Sequence, residues 1–310
     1  KVVAISTPLT KTKWIMDDIH LSTYGLSLGG SLDLLKYDPD RGYNASAALA
    51  IYRTHLDCVT MAYTDIYGDE LGNFTFEDKN IQISAGFGFH LKRFCRLGLG
   101  LTIKSCKSNL SNEDRYKASA TAYDVGIIAE LQLHELFLGN LKNNKTDAMF
   151  FEFTPSLAFV RANMGGDVSY GDSDNSDPLP TTNHYGASVI GAVGYGTAKV
   201  ISLRLIFEGE DDKNAEIWTY KRGGELGLAD ILFLRYGKFS DDPGNVTTYG
   251  GGLRLNGVIR WLESIGNLKL RNNSFGRIIR NANLSLNYGR YMDDEGILDG
   301  TSFFRIDLST

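Results

Sequence analysis

The residues that could do chemistry in this sequence are few and widely spaced. The five histidines, His20, His55, His90, His134 and His184, belong to no H-E-x-x-H or similar ligand spacing. The sequence contains no G-x-S-x-G nucleophile motif and no P-loop, and Gly250-Gly251-Gly252 falls inside a strand pattern with no helix expected after it. We therefore predict a protein that is not an enzyme, with no catalytic residue, no metal site and no cofactor.

The three cysteines leave two readings open. Cys58, Cys95 and Cys106 have neither the spacing of a metal site nor the density of a disulfide scaffold. A bridge between Cys95 and Cys106 would leave Cys58 over. The alternative is that all three are free thiols that pack as small apolar side chains.

The element that recurs along the chain is a two-faced strand. In residues 97–104, Leu97, Leu99, Leu101 and Ile103 alternate with Gly98, Gly100, Thr102 and Lys104. This is the period of a β-strand with one apolar and one polar face. Similar alternation recurs in residues 81–90, 151–159, 201–208, 282–289 and 304–308.

Fourteen such segments are predicted from Tyr24 onward, and most are longer than the usual globular strand of about 5–6 residues. They run at 24–36, 44–53, 56–66, 79–92, 96–107, 118–132, 149–163, 184–196, 199–210, 214–226, 229–239, 246–260, 280–292 and 301–309. Tilted strands need about 9–11 residues to cross a bilayer, and an even number of antiparallel strands can close without an edge. Residues 23–310 are therefore predicted to form an all-β, closed antiparallel transmembrane barrel of about 14 strands. Residues 1–22, which lack clear alternation, are predicted to be a leader or plug.

The connections between these segments sort by charge when they are numbered alternately. One set is acidic throughout: Asp38-Pro39-Asp40, Gly68-Asp69-Glu70, Asn112-Glu113-Asp114, 166–177, Glu210-Asp211-Asp212, Asp241-Asp242-Pro243 and Asp293-Asp294-Glu295. The other set is mostly basic and often short: Arg53-Thr54-His55, Lys92-Arg93-Phe94, 142–145, 197–199, 226–230 and 261–280. A soluble sandwich gives no reason for this sorting. A barrel with an exterior and a periplasmic rim does, and it places the long acidic loops outside.

The polar faces of the strands carry charges that would line the lumen of such a barrel. The lumen-lining candidates are Lys104, Asp124, Glu130, Glu152, Arg204, Glu208, Arg235, Arg254, Arg305 and Asp307. They are interpreted either as compensating pairs that fill the interior or as a lining that holds a plug, a polar ligand or a partner segment. Ile231 and Phe233 share the inward face with Arg235, so part of the lining is expected to be apolar.

Pro155 interrupts a long predicted strand and removes one ladder hydrogen bond. It marks either a lateral gap in the wall or a bulge without functional meaning. A continuous hydrogen-bond ladder through residues 153–157 on both neighbouring strands would rule out the gap.

Aromatic residues near the predicted strand ends fit the girdles of a membrane barrel, or are ordinary strand aromatics. They are Tyr63, Tyr67, Tyr185, Tyr195, Trp218, Tyr220, Trp261, Tyr288 and Tyr291.

The composition excludes several other classes of protein. Apolar residues make up 43%, charged residues 22% and the net charge is −5, which is unlike a disordered chain and gives no reason to expect nucleic acid as a partner. The longest apolar runs fall short of the roughly 20 residues of a membrane-spanning helix. No signal peptide begins at Lys1, so we expect a mature form or a chain that is never exported.

Several short motifs add a resemblance to a known family. They lie at residues 122–126, 225–237, 241–242, 248–253, 284–288 and 301–306. Over residues 80–309 the chain resembles the PorV/PorQ outer-membrane family, which is related to the fourteen-stranded long-chain fatty-acid transporter barrels. The resemblance implies an outer-membrane protein that binds the translocon or the cargo of type IX secretion. It implies no catalytic residue.

The leading hypothesis is therefore a non-enzymatic cargo- or translocon-binding barrel in the bacterial outer membrane. Its exterior contact surface is expected in the acidic loops, at Asp167, Asp172, Asp174, Asp177, Asp211, Asp212, Asp241, Asp242, Asp293 and Asp294. One alternative is a transporter of hydrophobic compounds with a lateral exit near Pro155. Another is a structural barrel subunit of a larger envelope complex. The expected partners are the lipid bilayer and proteins.

Overall fold

Long strands pair with their neighbours around a single closed barrel. The computed structural model describes residues 2–14, 16–38, 43–58, 61–64, 67, 70–74, 77–91, 94–109, 117–138, 149–171, 176–195, 198–240, 245–264, 283–292 and 302–309. The strands of the wall are β1 (Val2–Trp14), β2 (Met16–Asp38), β3 (Tyr43–Cys58), β6 (Glu77–Leu91), β7 (Cys95–Asn109), β8 (Lys117–Leu131), β9 (Met149–Gly165), β12 (Thr182–Tyr195), β13 (Ala198–Asp212), β14 (Ile217–Leu228), β15 (Leu232–Ser240), β16 (Asn245–Arg254), β17 (Asn283–Met292) and β18 (Ser302–Ser309). Two short hairpins lie outside this sheet, β4 (Met61–Thr64) with β5 (Glu70–Phe74) and β10 (Val168–Ser169) with β11 (Ser176–Asp177).

Every pairing in the wall is antiparallel, and the first strand pairs with the last. The seam runs from Ala4↔Ser309 to Lys11↔Ser302. Closure leaves no edge strand with unpaired amide and carbonyl groups, which is the condition for a sheet to lie in lipid. The predicted fold class, an all-β antiparallel barrel of about fourteen strands, is confirmed.

The N-terminal region differs from the prediction. Val2–Trp14 forms a wall strand between β18 and β2, where a leader or plug over residues 1–22 was expected. The predicted strand at 56–66 is also wrong: β3 continues to Cys58 and Met61–Thr64 belongs to a separate hairpin. The prediction thus missed β1 and added a strand at 56–66. Because these two errors cancel, the predicted number of fourteen wall strands agrees with the structure.

The side chains show the inside-out distribution of a membrane barrel. Large apolar side chains on one face of each strand whose side chains the structure describes are exposed on the outer surface, including Leu49, Ile83, Leu99, Leu157 and Leu203. The buried apolar residues of the described part are mostly alanines. A soluble sandwich would instead bury its large side chains between two sheets. An apolar outer surface of this size requires a lipid environment.

Alternate connections emerge at opposite ends of the barrel, which defines two rims. We call the end that carries the connections 59–76, 110–116, 166–181, 213–216, 241–244 and 293–301 the acidic rim. The other end, the turn rim, carries 39–42, 92–94, 132–148, 196–197, 229–231 and 255–282, and also the start of β1 and the end of β18.

Three of the predicted connections are corrected by this arrangement. Asp38-Pro39-Asp40 joins β2 to β3 at the turn rim and is therefore separated from the other acidic connections. Arg53-Thr54-His55 is not a connection, because it lies within β3, and Glu210-Asp211-Asp212 is the acidic-rim end of β13. The missed strand β1 and the added strand at 56–66 both precede residue 77, so every strand from β6 onward runs in the predicted direction. The remaining acidic connections therefore share one rim, as predicted.

Two helices lie at the turn rim, α1 (Leu133–Leu138) and α2 (Leu255–Ser264). The second follows β16 directly, so residues 255–260 are helical rather than part of the predicted strand 246–260, and a helix does follow Gly250-Gly251-Gly252. Neither helix is long and apolar enough to cross a membrane. At the same rim, Ala229 and Asp230 adopt positive φ values of 52° and 55°, which lets three residues reverse the chain between β14 and β15.

Cys95 and Cys106 are free thiols at opposite ends of β7, so they form no disulfide with each other. This agrees with the second of the two readings of the cysteines. Cys58 ends β3, and its side chain lies outside the described part of the structure.

Candidate functional site

The lumen-lining candidates all occupy inward positions, and most of them form ion pairs with residues of other strands or of a turn. The pairs are Lys104–Asp124, Arg96–Glu130, Lys199–Glu152, Arg204–Glu225, Lys221–Glu208, Arg235–Glu225 and Arg254–Asp230. Arg305 and Asp307 lie at inward register positions opposite Asn287 and Ser285, and their side chains fall outside the described part. The interpretation of these residues as compensating pairs therefore fits eight of the ten candidates.

The densest cluster lies near the turn rim, on β13 to β17. The Nε–H of Arg235 donates to Glu225 Oε2 at 2.6 Å, and its Nη1 donates to Asn287 Oδ1 at 2.7 Å. Arg254 Nη1 donates to Asp230 Oδ1, also at 2.6 Å. Charge-assisted bonds of this length hold side chains in one geometry. This cluster therefore forms a rigid polar lining at one end of the lumen.

Phe233 gives the same cluster an apolar component, as predicted for the inward face beside Arg235. Its ring is buried and lies 4.4 Å from the guanidinium carbon of Arg254 and 5.9 Å from that of Arg235. Both distances fall within the range of a cation–π contact. The phenyl ring thus supports the two arginines and is not open to a ligand.

A second cluster ties β7, β8 and β9 together. Lys104 Nζ lies 2.7 Å from Asp124 Oδ2 and donates to Asn163 Oδ1 at 2.8 Å. The backbone N–H of Asn163 donates to Asp124 Oδ1 at 2.8 Å. Asn163 has φ 57° where the register between β8 and β9 shifts, so a bulge turns its backbone towards the carboxylate.

The third cluster lies inside the acidic rim. His184 Nδ1 is 3.0 Å from Glu208 Oε1, and its Nε2 is 2.9 Å from Thr182 Oγ1. Lys221 Nζ donates to Glu208 Oε1 at 3.2 Å and also contacts Glu210. Donor atoms of His184, Glu208 and Glu210 lie within 4.8 Å of one another, as in a metal site. The ammonium group of Lys221 contacts both carboxylates and compensates one of their two negative charges.

Between these clusters the described inner wall is made of small side chains. Ser84 bonds to Thr102 at 2.9 Å and Ser156 to Ser188 at 2.7 Å, while glycines fill several positions between them. A Cβ atom added to the inward Gly100 would meet nothing within 4 Å. The inward Ile128 and Ile206 are 40% and 43% exposed. The described wall thus lines the lumen here mostly with small side chains, with Ile128 and Ile206 as apolar positions among them.

Beside Pro155, the turn-rim end of β9 pairs with a wall strand on one side only among the described residues. On one side, β9 pairs with β12 without interruption from Met149↔Tyr195 to Ala162↔Thr182. On the other side, pairing with β8 ends at Glu130↔Ser156. Within the described residues α1 covers part of the remaining edge, and the N–H of Phe153 donates to His134 Nδ1 at 3.3 Å. The ladder is continuous on one neighbour only, so the lateral gap predicted as one reading of Pro155 is not ruled out.

The acidic residues expected at the exterior surface divide into three groups. Asp167 and Asp177 are exposed in the loop 166–181, beside the β10–β11 hairpin. Asp211 is buried and pairs with Lys213, and Asp212 Oδ1 accepts bonds from the N–H groups of Asn214 and Ala215, so these two carboxylates stabilise the β13–β14 turn. The other predicted positions, Asp172, Asp174, Asp241, Asp242, Asp293 and Asp294, lie outside the described residues.

Several lumen residues escaped the sequence analysis although their spacing contained a signal. Glu210 has the same parity as Arg204 and Glu208 on β13, and Glu225 has the same parity as Lys221 on β14. Lys221 and Arg222 are consecutive charges, so they point to opposite faces and blur the alternation of β14. Asp230 lies in a turn, where strand periodicity does not apply.

The aromatic prediction is supported at the acidic rim. Phe159, Tyr185, Trp218 and Tyr220 form a chain of ring contacts on the outer face, with Tyr185 and Trp218 stacked at 6.0 Å and Trp218 and Tyr220 at 6.1 Å. Amphipathic rings of this kind mark the boundary between lipid and water.

Comparisons with known proteins bear on the fold. No protein-family model and no curated protein matches the chain. Among solved structures it is similar to a mutant of the TodX monoaromatic hydrocarbon channel, with a TM-score of 0.50 and 9% identity over 99% of this chain and 88% of that one. It is also similar to the transport unit of the autotransporter AIDA-I from Escherichia coli (TM-score 0.44, 9% identity, 99% and 88% covered) and to a FadL homologue of Pseudomonas aeruginosa (TM-score 0.39, 10% identity, 99% and 88% covered).

At such low identity these similarities concern the fold alone. Together with the closed antiparallel wall and its apolar outer surface, the fold is that of a bacterial outer-membrane β-barrel. The prediction of an outer-membrane location is confirmed.

Proposed function

We propose that this outer-membrane barrel acts without catalysis and binds a basic protein surface at its acidic rim. Following the resemblance of residues 80–309 to the PorV/PorQ family, the partner would be the translocon or the cargo signal domain of type IX secretion. The observation that carries the proposal is the placement of negative charge: five of the six connections that follow β3 at this end are acidic, and the sixth, 213–216, follows the acidic end of β13 at Glu210-Asp211-Asp212. These segments come from six separate places in the sequence and differ in length, but all of them lie at the same end of the barrel.

The geometry supports a contact surface at this rim better than it supports one at the turn rim. The loop 166–181 is held against the barrel, because Asn163 Nδ2 donates to the carbonyl of Pro180 at 3.1 Å and Asn214 Nδ2 donates to that of Leu179 at 2.6 Å. Asp167 and Asp177 are therefore presented on an anchored loop. An anchored acidic surface attracts a basic partner at low entropic cost.

Neutralising acids of this rim is expected to weaken partner binding. The variant carries Asp167→Asn, Asp177→Asn, Asp241→Asn, Asp242→Asn, Asp293→Asn and Asp294→Asn, and it spares Asp211 and Asp212 because they stabilise a turn. At low ionic strength we expect association with a purified cargo signal domain to slow about tenfold, and the difference to shrink as salt is added. Surface plasmon resonance on the detergent-solubilised full chain measures both effects.

The matched control neutralises acids at the opposite end. Asp38→Asn with Asp40→Asn lowers the negative charge of the turn rim and is expected to leave the association rate unchanged. An unchanged rate in the acidic-rim variant, or an equal loss in the control, would contradict the proposal.

A second candidate function, passage of hydrophobic compounds through the wall, is favoured by one observation, the end of β8–β9 pairing beside Pro155. A compound that left the lumen there would pass Ile128, which is inward, exposed and two residues from the last β8–β9 pair. Ile206 has the same residue type, face and exposure but lies on β13.

This candidate is tested by photo-crosslinking at the two isoleucines. Benzoylphenylalanine placed at position 128 is expected to label a radioactive long-chain fatty acid, whereas the same group at position 206 labels it at least about tenfold less, because effective concentration falls steeply with distance from the path. Labelling that is equal at both positions, or absent from both, would exclude a lateral path at this gap.

A further inference from the structure

Among the residues whose side chains the structure describes, the positive charges of the outer surface lie at one end of the barrel. Eight such cations face outward in the halves of their strands nearer the acidic rim: Arg53, Lys79, Lys107, Lys117, Arg161, Arg222, Lys238 and Arg290. In the halves nearer the turn rim, the outward side chains that the structure describes carry no charge. The two leaflets therefore meet different electrostatic surfaces of this protein.

Two pairs of these cations face each other directly across neighbouring strands. Lys79 is the register partner of Lys107, and Arg222 is the register partner of Lys238. Like charges in directly opposed positions destabilise a sheet. Such pairs are stable where an anion lies between them, and on the outward face at the edge of the apolar band the available anions are lipid headgroups.

The surroundings of Arg222 and Lys238 have the shape and chemistry of a lipid site. A groove of about 790 Å³ runs over the outer face of β9 and β12 to β16. Leu157 and Phe207 line it on the apolar side, Tyr185 and Trp218 contribute stacked rings, and the two cations complete it. Apolar surface for an acyl chain, rings at the interface and cations for a headgroup thus occur in one depression.

No carboxylate of the described part takes the place of that headgroup. Glu208 borders the groove, but it lies on the lumen-facing side of β13, where Lys221 and His184 bind it. Glu210 also contacts Lys221. By contrast, Lys79 pairs with Glu77 at 2.6 Å, so the Lys79–Lys107 pair is partly neutralised by the protein itself. The Arg222–Lys238 pair is the stronger anion site.

We infer that Arg222 and Lys238 form a binding site for a phosphorylated lipid of the outer leaflet, with its acyl chains against Leu157 and Phe207. The guanidinium group of Arg222 can bind two phosphate oxygens at once, and the ammonium group of Lys238 adds a point charge. The site faces the outer leaflet because four of the six turn-rim connections have only two to four residues, and short turns are periplasmic in barrels of this kind.

Trp218 allows the site to be tested directly, since its ring stacks between Tyr185 and Tyr220 in or beside the groove. A parent protein with Trp14→Phe and Trp261→Phe keeps Trp218 as its single tryptophan. It is reconstituted into bilayers that mix phosphatidylcholine with phosphatidic acid. In one series the phosphatidylcholine has brominated chains, and in the other the phosphatidic acid has them. Quenching of Trp218 by each brominated lipid gives the preference of the site for the phosphomonoester headgroup.

We expect the parent to prefer phosphatidic acid, and Arg222→Gln and Lys238→Gln each to lower that preference about fivefold. Arg222→Lys should retain most of it, because the charge is kept. Arg161 is an outward cation nearer the same rim, but its register partner on β12 is Asn183 and not another cation. Arg161→Gln should therefore leave the preference for phosphatidic acid unchanged. Mobility of unboiled protein in gels confirms that each variant is folded.

Three results would overturn the inference. One is equal quenching of the parent by the two lipids, and another is an equal loss in Arg161→Gln. The third is loss of the preference when millimolar glycerol phosphate is added, which would assign the cations to a soluble anion and not to a lipid.

Discussion

Replacing Arg254 with glutamine is expected to destabilise the barrel by about 3 kcal/mol, because it removes one partner of a buried ion pair. The side chain of Asp230 is 6% exposed and lies 2.6 Å from Arg254 Nη1. The guanidinium group also lies over Phe233, so its removal weakens two contacts at once. Urea unfolding of the refolded protein in detergent, followed by tryptophan fluorescence, measures the loss.

Arg204 supplies the matched control for this prediction. It is also an inward arginine, but its side chain is 46% exposed and its distance to Glu225 is 4.0 Å. Arg204→Gln should cost less than about 1 kcal/mol. In the double variant Arg254→Gln with Asp230→Asn, part of the stability should return. The neutral amide at position 230 replaces the buried carboxylate that lost its ion pair with Arg254. Equal losses in Arg254→Gln and Arg204→Gln would show that burial does not govern these pairs.

Gly194→Ala is expected to destabilise the wall by about 1–3 kcal/mol, a large loss for one added methyl group. Gly194 lies inward on β12, where the register against β13 shifts. An added Cβ would overlap the ring of Phe150 and the carbonyl oxygen of Ala198. The ring can move aside, but the carbonyl belongs to the backbone of the adjacent strand, so the bulge itself must be distorted. The measurement is the midpoint of urea unfolding.

Gly100→Ala tests whether this loss comes from contact or from the glycine itself. Gly100 is also an inward glycine in mid-strand, yet an added Cβ would touch nothing within 4 Å. Its unfolding midpoint should remain close to that of the parent protein. Equal losses in both variants would contradict the contact as the cause, because alanine lowers the entropy of the unfolded chain and should not destabilise a position where its methyl group fits.

The faces of the strands could be predicted from the sequence because lipid and lumen impose one simple rule on every strand. Leu99 and Leu203 face outward, whereas Lys104 and Arg235 face inward, and each assignment needs only parity within its own strand. The partners of the inward charges could not be predicted in the same way. Asp124 meets Lys104 because of the register between β7 and β8, and Asn163 joins them only because β9 bulges there.

The two errors at the N-terminal end have local causes. In β1, Val2, Val3 and Ala4 are consecutive apolar residues and Pro8 lies within the strand, so the alternation and the usual exclusion of proline both failed as signals. In β3, Arg53-Thr54-His55 resembles a turn, but the strand has 16 residues and extends beyond the roughly 9–11 that a bilayer requires. Strand ends that project into water are free to be polar.

The seam between β1 and β18 has a consequence for the order of assembly. It joins Ala4 to Ser309, positions about 300 residues apart, whereas most other neighbours in the wall are joined by a short connection. Bringing such distant segments together costs about 5 kcal/mol of chain entropy. The hairpins therefore form first, and the pairing of β1 with β18 closes the barrel last. Until then both edge strands of the open sheet have unpaired backbone groups, which must be protected from pairing with other chains.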